Sequence, residues 1–207
     1  MAGPQHPDFG TRRRAALFDD LLALLLAEGF AHLSVADLAT RLRCSKSTIY
    51  TLADSKEQLV TKTVTHFFRT ATERVEAHVA AAGSPRVAVV DYLIAVGEEL
   101  SPASEEFMSD LHAFGPTRDL YERNTATAAR RVRELIDAGV RAGEFRDVNA
   151  AFAADMAATM MSRIQRREVT ATTGLGDAAA YRQLAALLTT GIDAPSAQVS
   201  RDAGTNA

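Results

Sequence analysis

The chain has 207 residues, 47% hydrophobic and 24% charged, which is enough apolar material for a real core and too much for wholesale disorder. A net charge of −3 excludes a protein that coats nucleic acid through bulk charge and leaves room only for a local basic patch. The single cysteine, Cys44, excludes an internal disulfide and a cysteine-rich metal site, and it fits a reducing, cytoplasmic setting. The N-terminal stretch is basic but has no apolar segment followed by a cleavage site, so no signal peptide is expected. The longest apolar run, 21-LLALLLA-27, is too short to span a bilayer.

Almost every segment repeats its apolar residues with helical period, which predicts an all-α protein of about nine helices. The first helix is expected over 12–28, with Leu17, Leu21, Leu24 and Leu25 on one face and Gly29 as its stop. Arg12-Arg13-Arg14 at its start reads as a basic arm. Ser34 followed by Asp37 is a capping-box pattern opening a short second helix, 35–42. A third, entered by Ser45, is expected over 46–52. Asp54 or Ser55 caps a long fourth helix whose apolar residues step by threes and fours from Leu59 to Ala82. Gly83-Ser84-Pro85 breaks the chain before a fifth helix, 86–100. The sixth is expected over 103–113, the seventh from 115 to 142 with Gly143 after it, and the eighth from Asp147 or Asn149 to 168. A loop at 172–176 precedes a ninth helix, 177–190, and from Asp193 the chain is small and polar and expected to be disordered. This divides the chain into an arm at 1–11, a first domain at 12–57, a second at 58–192 and a tail at 193–207.

The short helices around residue 45 carry an unusual density of polar residues: Arg41, Arg43, Ser45, Lys46, Ser47, Thr48, Tyr50 and Thr51. Two short helices behind a supporting one form a helix-turn-helix pattern. Ala39 is small enough for the two to cross closely, and Val35, Leu38, Leu42 and Ile49 have the spacing to anchor them. Cys44 sits where the turn wants an apolar plug. The outward face of the third helix then offers hydrogen-bonding groups to base edges and phosphates, and its N-terminus offers free N–H groups.

With Gly29-Phe30 before it, the segment 34-SVADLATRLRCSKSTIYTLADSKEQL-59 resembles the signature of TetR-type transcriptional regulators. Ser34, Leu38, Ala39, Ser45, Thr48, Ile49, Tyr50, Ser55, Lys56 and Leu59 fall in register with it. The resemblance covers about 12–60. It implies a regulator, a repressor by expectation, that binds a palindromic operator as a homodimer. Its DNA-contacting residues are expected at Ser34, Arg43, Ser45, Lys46, Ser47, Thr48, Tyr50, Thr51 and Lys56. Arg43 stands where the family has Gly, which costs about 1 kcal/mol if the turn needs positive φ. Ser47 replaces another Gly, and Leu52-Ala53 replaces a His-Phe pair whose His commonly holds the DNA backbone.

In the second half Tyr92, Val96, Phe107, Met108, Leu111, His112, Phe114, Tyr121, Met156, Met160 and Arg163 are candidates to line a pocket for a small, largely apolar effector. The plain alternative for each is core packing. No second metal ligand follows His112 at helical spacing, and no cofactor or metal site is expected. Small residues on the eighth helix (Ala150, Ala151, Ala153, Ala154, Ala157 and Ala158), with Ala178 to Ala180, Leu184, Ala185, Leu187 and Leu188 on the ninth, suit a close-packed interface, and the resemblance implies a dimer through these two helices. No dinucleotide, phosphate-loop, zinc-protease or nucleophile-elbow motif is present, so an enzyme is not expected. The competing readings are a relative that binds ligands but has lost DNA binding, and a helical enzyme without a recognisable motif.

Overall fold

The computed structural model describes residues 9–194. Among them the regular elements are ten α-helices: α1 (Phe9–Glu28), α2 (Val35–Arg41), α3 (Lys46–Tyr50), α4 (Lys56–Ala81), α5 (Pro85–Leu100), α6 (Glu105–Ala113), α7 (Gly115–Arg141), α8 (Ala150–Gln165), α9 (Glu168–Thr173) and α10 (Asp177–Ile192). The expected tail from 195 onward and the arm over 1–8 lie outside the described residues. Helix α1 begins at Phe9, so Arg12, Arg13 and Arg14 sit within helix rather than in an arm.

Helix boundaries follow the caps. Ser34, Ser45, Ser55, Ser84 and Ser104 each accept a hydrogen bond from the backbone N–H three residues on, and Asn149 does the same for α8. Pro85 at the first position of α5 forgoes only a donor that a helix start leaves orphaned. Gly29 ends α1 at φ 77°. Helix α3 stops two residues earlier than expected, because Thr51 and Leu52 close tight turns onto Thr48 and Ile49.

The eighth helix ends at Gln165, short of the expected 168, and a further short helix, α9, follows and runs into the stretch expected as a loop. Arg167 separates the two with a left-handed φ of 60°. The arginine holds the kink by pairing with Asp177 and donating to the Ala103 carbonyl at 3.1 Å, while the turn beyond buries Val169. A basic residue that breaks a helix for a tertiary pairing leaves no periodic trace.

Two cores result. One lies among α5, α7, α8, α10 and the C-terminal half of α4, around Leu93, Ile136, Ala157 and Tyr181. The other joins α1 to α3, the N-terminal half of α4 and all of α6, around Leu25, Leu38, Ile49 and Phe107. Helix α4 is thus shared. Helix α6 falls within 58–192 by sequence, yet its buried residues Phe107, Met108 and Leu111 complete the N-terminal core.

Candidate nucleic-acid interface and internal cavity

The N-terminal head is built from local geometry. The Ser34 hydroxyl donates to the Asp37 carboxylate at 2.6 Å, and Asp37 in turn accepts the Ser34 N–H at 2.8 Å. These bonds from Ser34 hold the Asp37 carboxyl below its ordinary range. Arg41 is taken up by an ion pair with Glu28 of α1. Between α2 and α3 the chain turns through Arg43 at φ 50°, in the left-handed region that favours glycine. The turn is closed by the Cys44 N–H donating to the Ala39 carbonyl at 2.9 Å.

Helix α3 has one inward and one outward side. Ile49 is buried, and Leu52 and Ala53 just after it seal the base. Lys46, Ser47 and Tyr50 face solvent, with Tyr50 49% exposed, and Thr48 is half-buried. The hydroxyls of Ser45, Ser47 and Thr48 form a cluster, with Ser45 Oγ 2.7 Å from Ser47 Oγ and 2.8 Å from Thr48 Oγ1. Thr51 donates to the Thr48 carbonyl at 2.7 Å. All nine residues expected at the interface therefore lie exposed or half-exposed on the head. Several of their polar atoms are already engaged: Ser34 and Ser45 cap helices, and Lys56 Nζ donates to the Ala31 carbonyl at 3.0 Å.

Nothing in the residue pattern indicates how the head is fastened. Asp110 of α6 accepts the N–H groups of Phe30 and Ala31 at 2.5 and 2.8 Å. Ala31 is thereby held at its N–H by α6 and at its carbonyl by Lys56 of α4. The Ser104 N–H adds a bond to the Leu26 carbonyl at 2.8 Å. A Cβ on Gly29 would come within 2.7 Å of the Asp110 carboxylate, so the close approach needs glycine as much as its φ does.

Between α4, α5, α7 and α8 lies a cavity of about 190 Å³. Of the residues expected to line a pocket, Tyr92, Val96 and Tyr121 do so. The rest do not line it. Phe107, Met108 and Leu111 fill the N-terminal core, because α6 turns its apolar face towards the head. Phe114 packs at the edge of that core against Phe30. His112 lies behind the cavity wall, its ring edge-on to Tyr121 at 4.6 Å. Burial first, then the positive charge of Arg166, holds His112 below its ordinary pKa, and its Nε2 is buried without a partner. Met156 is 54% exposed on the outer side of α8, and Met160 is partly buried on the bundle core. Arg163 pairs with Glu168 at 3.2 Å.

The polar wall was not foreseen. Glu76 and Glu99 line the cavity, with Arg131 bridging Glu76 at 2.9 Å and Glu134 at 3.1 Å. Tyr121 donates to Gln165, whose Nε2 donates to Tyr181 at 2.9 Å. On an amphipathic helix such residues look like a solvated stripe, and nothing in their spacing distinguishes a cavity wall from a surface.

Among the described residues no cluster of His, Cys, Asp and Glu is arranged to hold a metal ion, and no helix is long and apolar enough to cross a membrane.

Residues 17–63 match the family model for bacterial regulatory proteins of the tetR family. Similar solved structures include a transcriptional regulator from Saccharomonospora viridis in complex with choline, at TM-score 0.73 and 17% identity over 88% of this chain and 98% of that one. A TetR-family regulator from Cytophaga hutchinsonii aligns at TM-score 0.70 and 16% identity, over 93% of this chain and 100% of the other. A TetR/AcrR-family regulator from Thermobifida fusca aligns at TM-score 0.64 and 23% identity, over 87% and 98%. A search of curated proteins gave no significant match. At these identities the structural likeness shows the fold: over most of its length the chain has the all-α fold of these regulators. The family match is confined to residues 17–63, which are similar to the N-terminal domain of bacterial regulatory proteins of the tetR family.

Proposed function

We propose that this protein is a cytoplasmic, non-enzymatic repressor that binds a palindromic operator as a homodimer and is released by a small molecule held in the α4–α5–α7–α8 cavity. The observation that carries the reading is the two-sidedness of α3: Ile49, with Leu52 beyond it, is buried, while Lys46, Ser47 and Tyr50 are exposed. One such helix reads only a few base pairs, and two about 34 Å apart read a palindrome. Dimerisation through α8 and α10 is supported by the large apolar side chains they leave in solvent, Phe152 at 66%, Met156 at 54% and Leu187 at 72% exposure. A choline complex of a protein with this fold supports small-molecule binding. The division into a DNA-binding head at 12–57 and a ligand-binding and dimerisation body at 58–192 goes with this reading, with α6 as a body element docked on the head.

Coupling then runs by two routes. Helix α4 carries Phe68 and Val75 on the cavity wall and Lys56 at the head. Helix α6 grips the α1–α2 turn through Asp110. A ligand that changes the position of either moves the reading heads.

Gel-shift and fluorescence titrations with DNA flanking the protein's own gene test the reading. Tyr50→Ala and Lys56→Ala should weaken binding to all sequences, flattening the salt dependence by about one unit per lost phosphate contact. Lys46→Ala and Thr48→Ala should change which sequences bind. Unchanged affinity in all four variants would overturn the assignment. The engagement of Lys56 by Ala31, and Leu52 in place of a polar residue, favour a second reading in which DNA binding has been lost. A wild-type protein that binds no promoter DNA but still binds small molecules would establish that reading instead.

A further inference from the structure

The junction of α8 and α9 holds the chain in a conformation that costs free energy. Arg167 sits at φ 60°, in the left-handed region where an L-residue is strained, and no side chain caps α9 there. Such strain persists only where the surroundings hold it in place. The neighbouring charges do not supply that hold. Glu168, the adjacent carboxylate, is taken by Arg163 at 3.2 Å and Arg166 at 3.0 Å. The Arg167 guanidinium reaches instead to two distant elements. It pairs with Asp177 in the first turn of α10 and donates to the Ala103 carbonyl, between α5 and α6, at 3.1 Å.

Both ends of that bridge are committed. The Asp177 side chain is 14% exposed, with one oxygen on Arg167 and the other, Oδ1, buried without a partner. A carboxylate in such a place depends on its cation. At the other end, Ala103 is 3% exposed and belongs to the core of the head. Its carbonyl and the N–H of Ser104 are the two sides of one planar peptide group. That N–H donates to the Leu26 carbonyl at 2.8 Å, in the last turn of α1 before Gly29 turns the chain towards α2. A single rigid peptide group is therefore gripped from the body on one side and grips α1 on the other.

We infer that Arg167 is a positioning residue for the head: its guanidinium fixes the 103–104 peptide group, and through it the end of α1, relative to α10. Helix α10 belongs to the proposed dimer face, so the bridge ties the head to that face without passing through α4 or Asp110. The cavity lies close to the same bridge, because Gln165 lines it two residues before Arg167. A head held in one place has less ordering cost on meeting DNA than one free to swing. The consequence for operator affinity rests on the proposed function, whereas the mechanical link from α10 to α1 does not.

Amide hydrogen exchange on the full chain tests the link with two variants. Arg167→Gly suits the positive φ and lacks the guanidinium, and Asp177→Asn weakens the bridge from its α10 end. Exchange at the Ser104 amide is taken relative to that of Ile136 in the body core, which removes any change in global stability. On that scale Ser104 should exchange about tenfold or more faster in Arg167→Gly, and about threefold or more faster in Asp177→Asn. Fluorescence titration with the DNA flanking the gene should find Arg167→Gly bound about fivefold or more weaker, at the sedimentation coefficient of wild type. A Ser104 ratio unchanged in either variant overturns the inference. So does unchanged or tighter binding by Arg167→Gly to DNA that wild type binds. If Arg167→Gly does not fold, Asp177→Asn carries both measurements with the same outcomes. A wild type that binds no promoter DNA sinks the proposed function, and the exchange ratios then decide the inference alone.

Discussion

Arg43 holds its backbone at φ 50°, where an L-residue pays about 1 kcal/mol of steric strain that glycine avoids. Replacing it with glycine relieves the strain but adds freedom to the unfolded chain, so the two effects largely offset. Urea unfolding should therefore find Arg43→Gly within about 1 kcal/mol of wild type and on the stable side, whereas Arg43→Val, β-branched at positive φ, should be clearly destabilised. His112 carries a different signal. Its folded pKa lies below 6.5, first through burial and then through Arg166, with Glu122 opposing. The unfolded chain thus takes up the proton first as pH falls. The stability that the neutral imidazole contributes is complete above pH 6.5 and declines below it, towards the lower folded value. His112→Phe keeps the edge-on contact with Tyr121 and removes the unpartnered nitrogen. Denaturant melts through this range should show a shallower pH slope for the variant than for wild type.

Among the elements, α6 is the one whose role its own residues do not announce. It is short, and its apolar face packs on the head while its neighbours in sequence build the body. Asp110 turns that packing into a polar clasp by accepting two backbone N–H groups of the α1–α2 turn. Hydrogen bonds to a charged acceptor contribute more than neutral ones, so Asp110→Ala should cost about 2 kcal/mol. The loss should be local as well as global. Hydrogen exchange should quicken at the amides of Phe30 and Ala31 before it changes in the body, and uniform exchange would show that the clasp does not fasten the head.

At the scale of the molecule, the outer surfaces of α8 and α10 are the least suited to water. Their alanines do not all lie there: Ala150, Ala153, Ala154 and Ala157 are buried within the subunit, against the expectation that the small residues of α8 serve a partner. The larger residues Phe152, Met156 and Leu187 take the exposed positions. Phe152→Glu combined with Leu187→Glu should yield a monomer by analytical ultracentrifugation, with the helical circular dichroism of wild type. Operator affinity should then fall, because one head reads only half a palindrome. A double variant that stays dimeric would place the interface elsewhere.

How far the sequence reached follows from which interactions are local. The caps at Ser34, Ser45 and Ser55, helical periodicity, Gly29 and the two faces of α3 depend on residues within a few positions of one another, and all of these could be read from the chain, whereas the turn at Arg43 was marked only by the glycine the resemblance puts there. The resemblance over 34–59 added the kind of protein. Three things depended on residues far apart in sequence. The left-handed break at Arg167 exists because Asp177 and the Ala103 carbonyl hold its guanidinium. The docking of α6 exists because Asp110 meets a turn 80 residues earlier. The cavity wall exists because α4 and α7 bring Glu76 to Arg131 across 55 residues. Each charged or aromatic residue there fits equally well on a solvated helix face, in a core or around a cavity, and only the packing of helices against one another decides between them.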